Sequence, residues 1–304
     1  MSDFLTRPLD GREPLQASFS DAANPVGLDG IEFIEYATNK PQALGQVLEM
    51  MGFKPVARHR SREVLLYRQG HLNVVVNAHP AEAHAGGHAG DVPRLSAIAL
   101  RVRDARAAYH YVLERGAWEV HTHAEVMELN IPAIHGAGGS RIYFVDRYKE
   151  FSIYGVDFVP IPSVDQNPPA TAGIHFFGVV QYIGPERSYD WIEFYTELFG
   201  ARLIPDEERF GIMPKGKLME LPALTPGNEF MLQLIEPEPN VLDAEERLQR
   251  IGLGVPDVLE AVKALRALGV EFVETQAAHT EQRGAITKTY LGSVVFELVH
   301  SEKA

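Results

Sequence analysis

The chain of 304 residues contains no cysteine. That excludes disulfides, thiolate metal sites and cysteine nucleophiles, so a metal would have to be held by His, Asp, Glu, Gln or water. No apolar run approaches the roughly 20 residues that cross a bilayer, and the opening MSDFLTRPLDGREPL has no basic stretch followed by an apolar one. Neither a membrane span nor a secretion signal is expected, and the expected location is cytoplasmic. Basic residues are also few, 28 Lys and Arg against 41 Asp and Glu, for a net charge of -13. Nucleic acid and anionic lipid depend on clustered cations and are not expected as partners. The remainder, 45% hydrophobic and 23% charged, has the composition of a folded globular protein with room for two cores.

Against these absences stands a fourfold internal repeat. A strand-like run, a helix closed by glycine and further strands recur around NKPQALGQVLEMMGFKPV (39–56), DARAAYHYVLERGAWEV (104–120), SYDWIEFYTELFGARLI (188–204) and PDVLEAVKALRALGVEFV (256–273). Asp104 suits an N-cap, and Val258, Val262, Leu265 and Leu268 mark one apolar helix face. GIEFIEYAT (30–38) reads as the first strand, and residues 63–79 as a hairpin turning at Gln69 and Gly70. RIYFVD and EFSIYGVDF (141–158) read as the strands closing the second repeat, and HGAGGS (135–140) as a hairpin turn with no phosphate-binding helix behind it. VPIPSVDQNPPATAG (159–173) carries four prolines and reads as a linker. The expected class is α+β: four βαβββ modules forming two half-open β-barrels with helices outside, over residues 1–158 and 174–304.

The stretches YRQGHLNVVVN, LSAIALRVRDARAAYHYVLERGA, MELNIPAIHGAGGSRIYFVDRY and SIYGVDF agree in order and spacing across residues 30–158. They resemble the N-terminal domain of bacterial 4-hydroxyphenylpyruvate dioxygenases, in the vicinal oxygen chelate superfamily. The resemblance implies chemistry in the C-terminal barrel, where two His and one Glu hold a non-haem Fe(II) that acts on an aromatic or 2-oxo acid. His175 in GIHFFGVV matches the first ligand, and Glu297 in GSVVFELVH matches the carboxylate. Where the family has the second His, LQRIGLGVPD has Arg250. A guanidinium is permanently charged and offers only donors, so it cannot take the place of imidazole on a metal.

Several arrangements around that position stay open. Gln233 in EFMLQLIEPE, flanked on its face by Met231 and Ile235, could supply a third oxygen ligand; water could fill the position, suiting Mg or Mn; or no metal binds and Arg250 pairs with Glu297. Arg250 could instead anchor a substrate carboxylate, or a bulge could turn Gln249 inward and send Arg250 to solvent. Projected onto the N-terminal half, the three positions become Glu32, Ala97 and a site near Ser152 or Tyr154, which is no ligand set and suits a structural or homodimer-forming copy. His79, His84, His88, His121 and His123 read as loop or structural residues, whereas His279 in QAAHTEQRG is a candidate general acid or base at the barrel mouth. The family's longer insertion before the last ligand strand and its closing C-terminal helix have no match in TEQRGAITKTYLGS or HSEKA, so no lid is expected.

Three functions follow. The first is a 4-hydroxyphenylpyruvate dioxygenase-like enzyme with an altered triad of His175, Glu297 and Gln233, favoured because the resemblance keeps two ligands. The second is a redox-neutral lyase or isomerase using a divalent ion as Lewis acid. The third is a metal-free domain that binds a small carboxylate or serves a partner enzyme.

Overall fold

The computed structural model describes residues 23–78, 92–121, 129–149, 151–208, 216–238, 245–274 and 284–302. Alternation of β-branched and aromatic residues produces the first repeat: β1 (Leu28–Ala37), α1 (Pro41–Met50), β2 (Lys54–His59), β3 (Val64–Gln69) and β4 (Leu72–Asn77). The second holds β5 (Arg94–Val102), α2 (Ala105–Leu113), β6 (Ala133–His135) and β7 (Arg141–Val145), followed by α3 (Ile153–Asp157) and β8 (Phe158–Pro160). The third comprises β9 (His175–Tyr182), α4 (Ser188–Phe199), β10 (Arg202–Leu203), β11 (Lys217–Leu221) and β12 (Phe230–Ile235). The fourth comprises β13 (Arg247–Val255), α5 (Val258–Ala267), β14 (Ala285–Ile286) and β15 (Phe296–His300). No helix among the described residues is long and apolar enough to cross a membrane.

The repeat is written into the ladders. β1 runs parallel to β4 and β5 parallel to β7, with β1 and β5 antiparallel; β9, β12, β13 and β15 repeat that pattern. The class is α+β, as the residues imply, and the sheet is not closed. The strands form one open mixed sheet of fifteen strands, in the order β10-β11-β12-β9-β13-β5-β1-β4-β3-β2-β8, with β7 and β15 branching from β5 and β13. The halves meet at one register, Leu248 opposite Leu95, with an Arg94–Glu245 ion pair nearby.

Strand alternation divides the core. Ile34, Val74, Ile98 and Leu100 join the main cluster with helix residues such as Leu44, Leu48 and Val112, while Phe33, Val75, Ala99 and Val145 form a second cluster on the opposite, concave face. Each of the four longer helices ends at a left-handed glycine, Gly52, Gly116, Gly200 or Gly269, with φ of 93°, 89°, 69° and 99°. Asp104 and Asp257 cap α2 and α5 by accepting from Ala107 N and Glu260 N at 2.8 and 3.0 Å. Glu236 does the same for α4 from outside, and the Ser188 hydroxyl bond holds its carboxyl below the usual range.

Two sequence expectations change. Residues 151–158 do not form one strand: Ile153–Asp157 turn as α3 and only Phe158 enters β8, placing the apolar Ile153, Tyr154 and Phe158 over the concave cluster. The proline-rich segment 159–173 lies along β3, where Arg68 and Gly70 donate to Gln166 O and Pro168 O. Leu268 caps α5 and is 48% exposed, beyond the buried stripe of Val258, Ala261, Val262 and Leu265. The turn at Ala137–Gly139 does join β6 to β7, and Gly138 (φ 60°) is needed there because a Cβ would lie 1.7 Å from Glu246 O across the seam.

Removing the cap in Asp104→Ala is expected to cost about 1 kcal/mol, and Asp104→Asn much less, as read by urea denaturation monitored at 222 nm.

Candidate functional site

The C-terminal candidate residues lie on four adjacent strands, β12, β9, β13 and β15. Gly252 on β13 is opposite Glu297 on β15 and Gly178 on β9, and Arg250 is opposite Val180, which in turn is opposite Gln233 on β12. Paired residues share a face, so Arg250, Glu297 and Gln233 all belong to one side of the sheet. Arg250 and Glu297 are diagonal neighbours, about 7–8 Å apart at the backbone, a span that a long side chain covers. Gly252, between them, leaves the path open.

Arg250 takes that path. Its Nε donates to Glu297 Oε2 at 2.7 Å, and the two side chains are 3% and 5% exposed. Its Nη1 donates to Gln249 Oε1 at 2.7 Å, while Nη2 is buried with no hydrogen-bond partner among the described residues. A bulge lies here: Leu248 and Arg250 oppose consecutive residues of β9, Gln181 and Val180, so Gln249 is the extra residue. It brings the Gln249 amide alongside the guanidinium without turning Arg250 outward, which overturns the solvent-facing alternative.

His175 reaches the same face through a second irregularity, on β9, where Gly178 and Phe176 oppose the consecutive Gly252 and Leu253. Its imidazole lies across Gly254, where a Cβ would come within 2.2 Å of Nε2. Nδ1 is 3.0 Å from Gly173 O and Nε2 is 2.9 Å from Ser301 Oγ. A carbonyl only accepts, so Nδ1 carries the proton, and in the neutral ring Nε2 accepts from the Ser301 hydroxyl. The lone pair a metal would use is thus directed at Ser301. His175 is two rungs from Glu297 and two strands away, and four rungs from Arg250 on the next strand, which are offsets along the strands of about 6–7 and about 13 Å with a further distance of about 5 Å for each strand crossed.

Gln233 and Glu297 share a small cavity with Met231, Gly178 and Gly252, of about 30 Å³. That is room for a water or two and far from the several hundred Å³ of an ordinary small-molecule site. No group of three or more His, Asp or Glu side chains among the described residues is placed to hold a metal ion. The residues present do not fit the iron that the resemblance implies, because a cation already neutralises Glu297. His279 lies outside the described residues, as do His79, His84, His88 and His123; His121 is exposed beside Glu119.

The N-terminal counterparts of these positions also shift. Aligning the capped helices places Ala97 at Arg250 and Ala99 at Gly252, and Ala99 is opposite Tyr143 as Gly252 is opposite Glu297. The counterpart of Glu297 is therefore Tyr143 on β7, not Ser152 or Tyr154, because residues 153–157 are helical and do not supply the closing strand. Glu32 is held by the Arg101 Nε at 2.6 Å, so it too is an ion-paired carboxylate. The sequence reading raised the bulge at Gln249 but not its bond to an Arg250 that stays inside, and it missed Ser301, which lies just past the end of β15.

Comparison with known proteins follows this geometry. A family model described as hydroxyphenylpyruvate dioxygenase, N-terminal, matches residues 22–159, and one for the glyoxalase/bleomycin resistance protein/dioxygenase superfamily matches 188–294. A 4-hydroxyphenylpyruvate dioxygenase of Pseudomonas aeruginosa is 34% identical over 280 residues, covering 85% of this chain and 75% of that protein. The chain belongs to the 4-hydroxyphenylpyruvate dioxygenase family. Another member of that name, from Pseudomonas sp., is 42% identical over 60% of this chain, and the match spans 51% of its own length. A protein named 3-dehydroshikimate dehydratase, from Pseudomonas aeruginosa, is 33% identical over 83% of this chain but only 41% of its own length. Among solved structures, a 4-hydroxymandelate synthase variant from Streptomyces coelicolor shares the fold at TM-score 0.68 and 16% identity, covering 91% of this chain and 94% of that one. A xylose isomerase-like TIM barrel/4-hydroxyphenylpyruvate dioxygenase fusion protein does so at TM-score 0.68 and 24% identity, covering 90% of this chain and 49% of the fusion. Proteins similar to this chain thus carry other names as well, and in some the match is less than half of the longer protein.

A buried ion pair is costly to break from one side and cheap to replace whole. Arg250→Met is expected to destabilise by about 3–5 kcal/mol by leaving Glu297 unpaired, and addition of Glu297→Leu to Arg250→Met to recover most of that loss. A guanidinium chloride double-mutant cycle measures both.

Proposed function

We propose that this chain is a metal-independent member of the 4-hydroxyphenylpyruvate dioxygenase family, serving as a small-acid-binding or partner module in place of the iron-dependent oxygenation that the family resemblance implies. The observation that carries this reading is the Arg250–Glu297 pair at 2.7 Å, buried on both sides. Its charge compensates the carboxylate that would otherwise bind a cation, so a metal would have to displace a guanidinium that has no solvent to move into. The small volume beside Glu297 also argues against a bidentate 2-oxo acid there. Relatives in which a similar domain forms about half or less of a longer protein favour the partner role, since in them the rest of the chain differs.

A second reading keeps the family's reaction class. His175, Glu297 and Gln233 share one face, and Arg250 swinging away would leave two or three donors for Fe(II), or for Mg or Mn in a redox-neutral reaction. Protein purified anaerobically and supplied with Fe(II) separates the two. The metal-free reading expects far less than one equivalent of iron after desalting and no O2 uptake with 4-hydroxyphenylpyruvate or phenylpyruvate. One equivalent of iron that His175→Ala abolishes, together with O2 uptake, would establish the second.

A further inference from the structure

The concave face of the N-terminal half holds a cavity of about 260 Å³, against about 30 Å³ at its C-terminal counterpart. One wall is aromatic: Phe33 and Tyr143 lie with ring centroids 5.9 Å apart at 42°. Val75, Leu129 and Ile131 add to the apolar lining, Val75 from the strand next to Phe33. The floor is polar and buried, with Glu35 and Asn77 only 9% and 6% exposed. Ser96 Oγ donates to Glu35 Oε1 at 2.8 Å, and the Asn77 amide approaches the same oxygen at 3.5 Å.

Arg141 completes the floor. It is opposite Ala97 on β5, and Ala97 is opposite Glu35 on β1, so the small residue between them opens a common space for guanidinium and carboxylate. Arg141 Nη1 donates to the Tyr143 hydroxyl at 3.2 Å. A second guanidinium, Arg62, stands at the rim beside His59, whose ring meets Phe158 edge-on at 5.2 Å. The anionic groups have protein donors: Asp157 Oδ1 accepts from Leu129 N at 3.2 Å, and Glu35 from Ser96. Each guanidinium has five donors in a fork, enough to keep an internal partner and still present an edge to a ligand.

A cavity with an aromatic wall and a guanidinium beside buried hydrogen-bonding groups suits a ring that carries an anion. We propose that this N-terminal cavity binds a small aromatic carboxylic acid, with its ring against Phe33 and Tyr143 and its carboxylate on Arg141. The inference deepens the binding-module reading and rests on it for the choice of this half over the filled C-terminal one. It names a site in the half where sequence comparison by repeat gives no ligand set.

The probe is 4-fluorophenylacetate, titrated into the full chain and followed by fluorine NMR, with 4-fluorobenzyl alcohol and fluoroacetate as uncharged and ringless comparisons. Saturable binding of the aromatic acid alone is expected. Affinity should fall at least about tenfold in Arg141→Gln, which removes a charge-assisted bond, with partial rescue in Arg141→Lys. Leu129→Trp, which fills the slot from a partly exposed loop position, should weaken binding independently, with circular dichroism verifying the fold of each variant. No saturable binding, equal binding of the alcohol, or affinity unchanged in both Arg141→Gln and Leu129→Trp overturns the proposal. These outcomes are independent of iron content and O2 uptake, so this site and the metal-free reading can fail separately.

Discussion

A guanidinium held 2.7 Å from a carboxylate inside a sheet constrains everything around it. Two ions out of water are tolerated only when each compensates the other, so the backbone must keep Arg250 and Glu297 within reach. Gly252 keeps the diagonal between them clear, and the Gln249 bulge supplies a second acceptor. The compensation is incomplete: a single Nε contact, a Gln amide and a buried Nη2 make a poorer pair than a two-bond fork. Such an arrangement gives little net stability while fixing the charge of the site, and it leaves Glu297 compensated by the protein itself.

That compensation decouples the two halves of an otherwise repeated structure. The same ladder of one antiparallel and two parallel pairings occurs in each half, and the same face is concave in both. In the C-terminal half the Arg250 side chain shares that face with Glu297 and little space is left. In the N-terminal half its counterpart is Ala97, and the absence of a long side chain there leaves room for a cavity whose cation comes instead from Arg141 on the neighbouring strand. Arg250 against Ala97 and Glu297 against Tyr143 are two of the differences between the repeats at this face.

Much of the fold is legible in the residues because it depends on local rules. Glycine at the ends of four helices, Asp caps at two of them and period-two strands each have a local physical cause. The site is legible only in part. The exclusion of Arg250 as a ligand follows from its chemistry, but its direction depends on a one-residue bulge at Gln249 that alternation cannot locate. Residues 153–157 misled for a related reason: SIYGVDF is apolar enough for a strand, yet it folds as a short helix whose Ile153 and Tyr154 pack on the concave face. The N-terminal cavity carried a fainter signal, the carboxylate of Glu35 within the apolar run GIEFIEYAT. A charge in a strand buried on both sides needs partners, and Ser96 and Asn77, which donate to Glu35, come from two other strands.

The central claim is that protein charge stands where the family resemblance would put a metal ion, and X-ray anomalous scattering tests it most directly. Crystals grown anaerobically with excess Fe(II), measured on both sides of the iron absorption edge, should show no anomalous peak between His175 and Glu297, with guanidinium density against the Glu297 carboxylate. An iron peak bonded to His175 and Glu297, with Arg250 turned away, would contradict the account.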